Sequence, residues 1–252
     1  MPALALGQVV SAEKTDSGWT NSYRIGGVAA LVVLLAGLLD ILVTFLPGAG
    51  GTGTAPATLT VIDWFTLFQE NALLGLRNLG VLNMVTTASM VLVGLALYAA
   101  HRRTHQATAA LAVILRCMAS TIYIANNTAL PMLTLSRQYA AATTEPQRSL
   151  VVAAGTGLLA REDLTAGAYM GFLFAEAGGI LMSLVMLQGK VFSKWSALAG
   201  ILAEGCMLIF NFCAAFVPGT YGVTVILAMF GGLLAMVWMI LTARGLFQLA
   251  RY

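Results

Sequence analysis

Charge is what this sequence has least of. Only 9% of its 252 residues are Asp, Glu, Lys or Arg, against 59% hydrophobic residues, and the mean hydropathy is +0.87. A soluble domain carries about a quarter charged residues, so this scarcity places the chain in the membrane class. The net charge of +3 is too small and too scattered to point to nucleic acid. Histidine is almost missing. His101 and His105 fall in a basic loop, which leaves no buried pair for haem or metal. No lysine lies inside an apolar run, which excludes a retinal Schiff base. There is no Gly-x-Ser-x-Gly elbow, P-loop or dinucleotide fingerprint. The expectation is a protein with no cofactor and no metal, and the balance leans away from an enzyme. The three cysteines, Cys117, Cys206 and Cys213, all sit in apolar runs. Cys206 and Cys213 share a helix face but stand about 10 Å apart, too far for a disulfide. Met1–Val10 has no basic n-region, so no secretory signal is expected.

What is present is a series of apolar runs. About 20 apolar residues cross a bilayer core. The runs 25–46, 79–100, 107–135, 166–187, 196–217 and 222–243 meet that length. The expected fold is all-α, an integral membrane bundle of six transmembrane helices over 25–243. Tails at 1–24 and 244–252 flank it, with Trp19, Tyr23 and Arg24 as an interfacial belt. The third run is longer than a straight crossing needs, and Pro131 predicts a kink or an end there. Pro47–Pro56 reads as a Gly/Thr/Pro loop, and Pro218-Gly219-Thr220 as a tight turn.

Two amphipathic segments lie between runs. Thr60 and Asp63 form a capping-box signature ahead of Ile62, Phe65, Phe68, Ala72 and Leu76, which recur three to four apart. Such a helix lies in the interface or leads into the next span. The second segment starts at Thr144 as N-cap, with Glu145, Pro146 and Gln147 in its first turn. Leu150, Val151, Ala154 and Leu158 give it one apolar face.

Six spans put both termini on one side. That side holds Lys14, Arg24, Arg102, Arg103, Lys190, Lys194, Arg244 and Arg251. The other holds Arg77, Arg137, Arg148 and Arg161, all in long connections, where charge counts for less. Both termini are therefore expected in the cytoplasm, with the chain in the cell membrane and the amphipathic segments outside.

Four ionisable residues fall well inside apolar runs: Asp40, Arg116, Glu176 and Glu204. Each costs on the order of 2.5–3.5 kcal/mol at the bilayer centre unless paired or hydrated. Arg116, Glu176 and Glu204 come out at one depth, roughly 12–16 Å from the cytoplasmic end at about 1.5 Å per residue. An ion-paired cluster with Arg116 between two carboxylates is the cheapest arrangement. It is either a functional core or a structural pair that fixes helix order, and the sequence leaves both open. Asp40 lies nearer the outer face, at the height of Asn83, Asn126 and Asn127. These four could line an outward-facing polar pocket, or the asparagines could simply bond between helices.

The run Asn127-Thr128-Ala129-Leu130, followed by Leu135-Ser136-Arg137-Gln138-Tyr139 and Ala140–Thr143, carries a resemblance. So do Gln147-Arg148, Ala153-Ala154-Gly155, Met186-Leu187, Val191-Phe192, Lys194-Trp195, and Leu97-Tyr98 ahead of a basic loop. From about Arg24 to Ala243 the chain resembles the prokaryotic multi-pass membrane family catalogued as domain of unknown function 4386. The resemblance implies a multi-pass membrane protein and transfers no activity or site residue. The residues themselves point to binding or transport of a small solute or ion through the Arg116/Glu176/Glu204 cluster. Two alternatives stand beside that: a lipid-acting enzyme at the outer pocket, and an accessory or sensory subunit. The lipid bilayer is the one partner implied directly.

Overall fold

The computed structural model describes residues 17–44, 59–162, 169–217 and 219–251. The Pro47–Pro56 loop, Pro218, Lys14 and the first ten residues lie outside the described residues. Ten α-helices are described: α1 (Thr20–Thr44), α2 (Val61–Glu70), α3 (Ala72–Asn78), α4 (Val81–His101) and α5 (Gln106–Asn126). They continue with α6 (Ala129–Ala141), α7 (Glu145–Glu162), α8 (Tyr169–Gly189), α9 (Lys194–Phe216) and α10 (Tyr221–Leu249). A 3-10 turn over Ser17–Trp19 precedes α1. Among the described residues, six helical stretches are long and apolar enough to cross a membrane, as the hydropathy pattern predicts.

The six long helices α1, α4, α5, α8, α9 and α10 form a ring. Each packs on its neighbour in the chain, and α10 closes back on α1. A lighter contact between α4 and α8 crosses the middle. Side-chain size is sorted across the ring. Ala29, Ala30, Ala96, Ala99, Ala109, Ala112, Ala197 and Ala203 are buried, whereas Leu35, Leu42, Leu202, Ile226, Leu233 and Val237 are exposed. Lipid tails are as apolar as leucine, so sequestering leucine gains nothing there. Small residues gain close backbone approach and dispersion contacts instead. Gly26 shows this, since a Cβ there would run into Ala96.

At the end of the ring away from the termini, α2, α3, α6 and α7 make a small separate cap. Its core is Val61, Trp64, Phe65, Phe68, Leu79, Ala129 and Met132. Both segments expected between the runs are helical here, but their faces differ from the expected ones. The first is interrupted at Asn71 and buries Val61, Trp64, Phe65 and Phe68, leaving Ile62 exposed. On α7 the expected Leu150 and Ala154 are exposed, and Val151, Val152, Leu158 and Leu159 pack on the cap core, because the helix turns the side next to Leu150 toward α2 and α6. The capping box forms: Asp63 N–H donates to Thr60 Oγ1 at 3.2 Å, and Thr60 N–H donates to Asp63 Oδ2 at 2.8 Å. The Thr60 hydroxyl, which donates to Asp63 Oδ2 at 2.7 Å, and then the Thr60 N–H hold the Asp63 carboxyl below its ordinary value. The buried Ser136 hydroxyl donates to Phe65 O at 2.8 Å and ties α6 to α2. Helix α7 starts at Glu145, and Gln147 N–H donates to Thr144 Oγ1 at 3.5 Å.

The third span does not kink at Pro131. It breaks at Asn127–Thr128, and Pro131 sits in the first turn of α6. A proline ring clashes with the carbonyl four residues before it, here Asn127, whose backbone is extended. Its missing N–H falls where a helix start has no acceptor for it. The break is stapled by Asn127, which donates from Nδ2 to Leu79 O at 2.8 Å and accepts from Ala129 N–H at 3.1 Å.

At the termini end, His101 is not a loop residue. It ends α4 at 1% exposure, with Nδ1 2.8 Å from Leu97 O and its ring stacked on Phe192. The α8–α9 turn closes over it, and Gly189 leaves room where a Cβ would strike the imidazole. Trp19 packs edge-on to Tyr98 and under Arg102, while Tyr23 of the expected belt is buried.

Candidate functional site

Three helices carry charge into the ring. Arg116 lies on α5, Glu176 on α8, and Glu204 on α9. Arg116 Nη2 donates to Glu204 Oε1 at 2.9 Å, with side chains 11% and 16% exposed. The pair fits because α8 has no side chain at Gly179. A Cβ there would overlap the Glu204 carboxylate and lie 2.7 Å from Arg116 Nη2. Gly178 does the same for backbone: a Cβ would lie 2.9 Å from Ala112 O. The Gly178-Gly179 step thus brings α8 against α5 and opens a slot for the ion pair.

Glu176 has a different partner. Its carboxylate Oε1 accepts from Asn211 Nδ2, on α9. Glu176 is 3% exposed and Asn211 also 3%. The second oxygen, Oε2, is buried and makes no hydrogen bond. The cluster is therefore two linked pairs, Arg116–Glu204 and Asn211–Glu176, rather than one arginine bridging two carboxylates. Glu204 and Asn211 are seven residues apart on α9, two turns on one face. Glu176 is three residues from Gly179, one turn along α8. The two pairs stack along the α8–α9 seam, with Glu176 deeper from the termini end.

Asn211 is the residue that sequence reasoning passed over. Its signal was the seven-residue spacing from Glu204, which puts a polar group on the same buried face. Beside Arg116 lies a void of about 10 Å³, bounded by Gly178, Met182, Val93, Leu97 and Trp238 among others. That is the size of one water molecule.

The four residues expected to line one outer pocket occupy three settings. Asp40, at the far end of α1, pairs with Arg77 of α3: Nε to Oδ1 is 2.9 Å. Arg77 Nη2 also donates to Asp40 O at 2.6 Å, and Nη1 to Asn78 Oδ1 at 2.9 Å. Asn126 donates to Ile122 O at 2.8 Å within its own helix. Asn127 and Asn83 come together around Gly80, where a Cβ would lie 3.5 and 3.7 Å from their amide nitrogens and 2.6 Å from Tyr123 OH. Gly80 has φ 78, the left-handed region that glycine tolerates. A groove of about 470 Å³ does open beside Arg77, but Leu39, Val43, Leu73, Leu74 and Leu82 make it largely apolar.

No curated protein and no solved structure matches the chain. One family does, over residues 35–243, which takes in the whole ring apart from 20–34 of α1 and 244–249 of α10. The chain belongs to that family, described as a domain of unknown function (DUF4386) and without an assigned activity in that description.

Proposed function

We propose that this multi-pass membrane protein binds a proton at Glu176 and moves it across the ring through the Arg116–Glu204 pair. The observation that carries this is Glu176 Oε2, a carboxylate oxygen deep in the bundle with no hydrogen-bond partner. Arg116 already has Glu204 as counter-ion, so the second carboxylate has no cation of its own. An isolated ionised carboxylate is costly in such surroundings, and binding a proton relieves the cost. Size favours the same ligand. The void beside Arg116 is water-sized, which suits a proton passed through water. The bias of basic residues in short connections toward the termini end supports a cell-membrane protein with both termini in the cytoplasm.

The test is proton flux in liposomes reconstituted with the full chain under an imposed potential. Glu176→Gln keeps the shape and the Asn211 contact but cannot exchange a proton. It should reduce flux at least tenfold. Flux equal to wild type in Glu176→Gln would overturn the proposal.

A further inference from the structure

Four buried polar side chains between Glu204 and the termini end have no hydrogen-bond partner: Ser183 Oγ, Ser196 Oγ, Trp238 Nε1 and Thr242 Oγ1. All four residues are at most 3% exposed. They come from three helices, Ser183 from α8, Ser196 from α9, and Trp238 and Thr242 from α10. Gly200 of α9 shows how two of them, Ser183 and Trp238, meet. A Cβ on Gly200 would overlap Ser183 Oγ and lie 2.8 Å from Trp238 Nε1. Both polar atoms thus converge on one point, within reach of a single bridging water.

The register extends the cluster in both directions. Along α9, Ser196, Gly200 and Glu204 are spaced by four and lie on one face. Along α8, Glu176, Gly179 and Ser183 follow three and four apart, again one face. Helix α10 runs antiparallel to α9 and meets it at Trp238 and Gly200. Four residues on, Thr242 therefore stands at the height of Ser196. Read from the termini end, polar groups come in the order Ser196 with Thr242, then Ser183 with Trp238, then Arg116 with Glu204, then Glu176 with Asn211. Trp238 also borders the water-sized void beside Arg116.

Buried polar groups in proteins are satisfied by protein or by ordered water, and four orphans in one seam call for water. We infer that the α8–α9–α10 seam holds a file of ordered water that conducts protons between the termini end and the Arg116–Glu204 pair. The chemistry of the lining suits this. Ser183, Ser196 and Thr242 can donate and accept, so they can pass a proton on. The Trp238 indole only donates, so it orients a water without relaying. This inference rests on the proton reading of Glu176 and supplies its access route from the termini side.

Two measurements on the full chain in liposomes test it. The first is proton flux of Ser183→Ala/Ser196→Ala/Thr242→Val beside Glu176→Gln. The second is hydroxyl-radical footprinting of Trp238, which labels a buried side chain only where water touches it, with exposed Trp195 as the internal standard. The expected result is Trp238 labelled in wild type, labelling lost in the triple variant, and flux reduced at least tenfold. Trp238 unlabelled at a dose that labels Trp195 would overturn the water file. Full flux in the triple variant while Glu176→Gln abolishes it would overturn the route and leave the role of Glu176 standing. Wild-type flux in Glu176→Gln would remove the proton reading and this route together. None of the three hydroxyls loses a protein hydrogen bond on substitution, so the triple variant is expected to fold.

Discussion

Among the described residues, two arginine–carboxylate pairs share one length in opposite settings. Arg116–Glu204 and Arg77–Asp40 both close at 2.9 Å. The first is enclosed by the ring, with its carboxylate 16% exposed. The second sits at the junction of ring and cap, with its carboxylate 46% exposed. Bond geometry does not separate them; surroundings do. Removing one partner of an enclosed pair strands a charge that at most a few confined waters can solvate. Removing one partner of an open pair returns the other to water or headgroups.

The comparison breaks or sharpens most strongly on Glu204→Gln and Asp40→Asn, followed by thermal unfolding in detergent. Glu204→Gln should cost about 3–5 kcal/mol. Asp40→Asn should cost about 0–1 kcal/mol. Equal costs would mean that Arg116 is as well hydrated as Arg77, and the contrast would fail. Adding Arg116→Met to Glu204→Gln should recover much of the loss, since no buried charge is then left alone.

Glycine substitutions test the same contrast at smaller scale. Gly179 faces the Arg116–Glu204 pair, whereas Gly157, on α7 in the cap, has no neighbour for a Cβ within 4 Å. Gly179→Ala must push the carboxylate aside and should destabilise by about 1–3 kcal/mol. Gly157→Ala should stabilise by about 0.4–1 kcal/mol, through the unfolded chain and helix propensity. The difference in thermal midpoint between the two variants reads this directly, and the same sign for both would break it.

The smallest expected effect lies at the start of α2. Asp63 is held below its ordinary carboxyl value of 3.8 by bonds from Thr60. A group with a lowered folded value contributes stability above the unfolded value. It loses that contribution as pH falls through the folded value. The acid limb of the thermal midpoint below about pH 4 should therefore be shallower in Thr60→Ala than in wild type. An unchanged limb would show that the capping box does not couple to the fold's stability.

Much of this architecture is legible in one dimension. Apolar runs of span length, the Thr60–Asp63 cap and the Thr144 start of α7 are local patterns governed by hydration and backbone satisfaction. They do not depend on what packs nearby. The shared depth of Arg116 and Glu204 follows from counting residues along helices. The break at Asn127–Thr128 was displaced from the expected one because Pro131 acts on the carbonyl four residues upstream, not on its own position. His101 was misplaced because burial of a helix end depends on the turn that folds over it, from a segment about 90 residues away.

Sequence alone determined that this chain spans a membrane with six helices, caps them at one end, and carries one cation and two carboxylates at depth. It determined these things because hydrophobic length, helix capping and rise per residue are local quantities. Tertiary structure decided which carboxylate Arg116 takes, that Asn211 holds the other, and that Gly179 gives the pair its room. It also decided that Ser183, Ser196, Trp238 and Thr242 share one seam. Those outcomes depend on how α5, α8, α9 and α10 rotate about their own axes. Rotation is set by the mutual fit of small residues on facing helices, which no single helix contains.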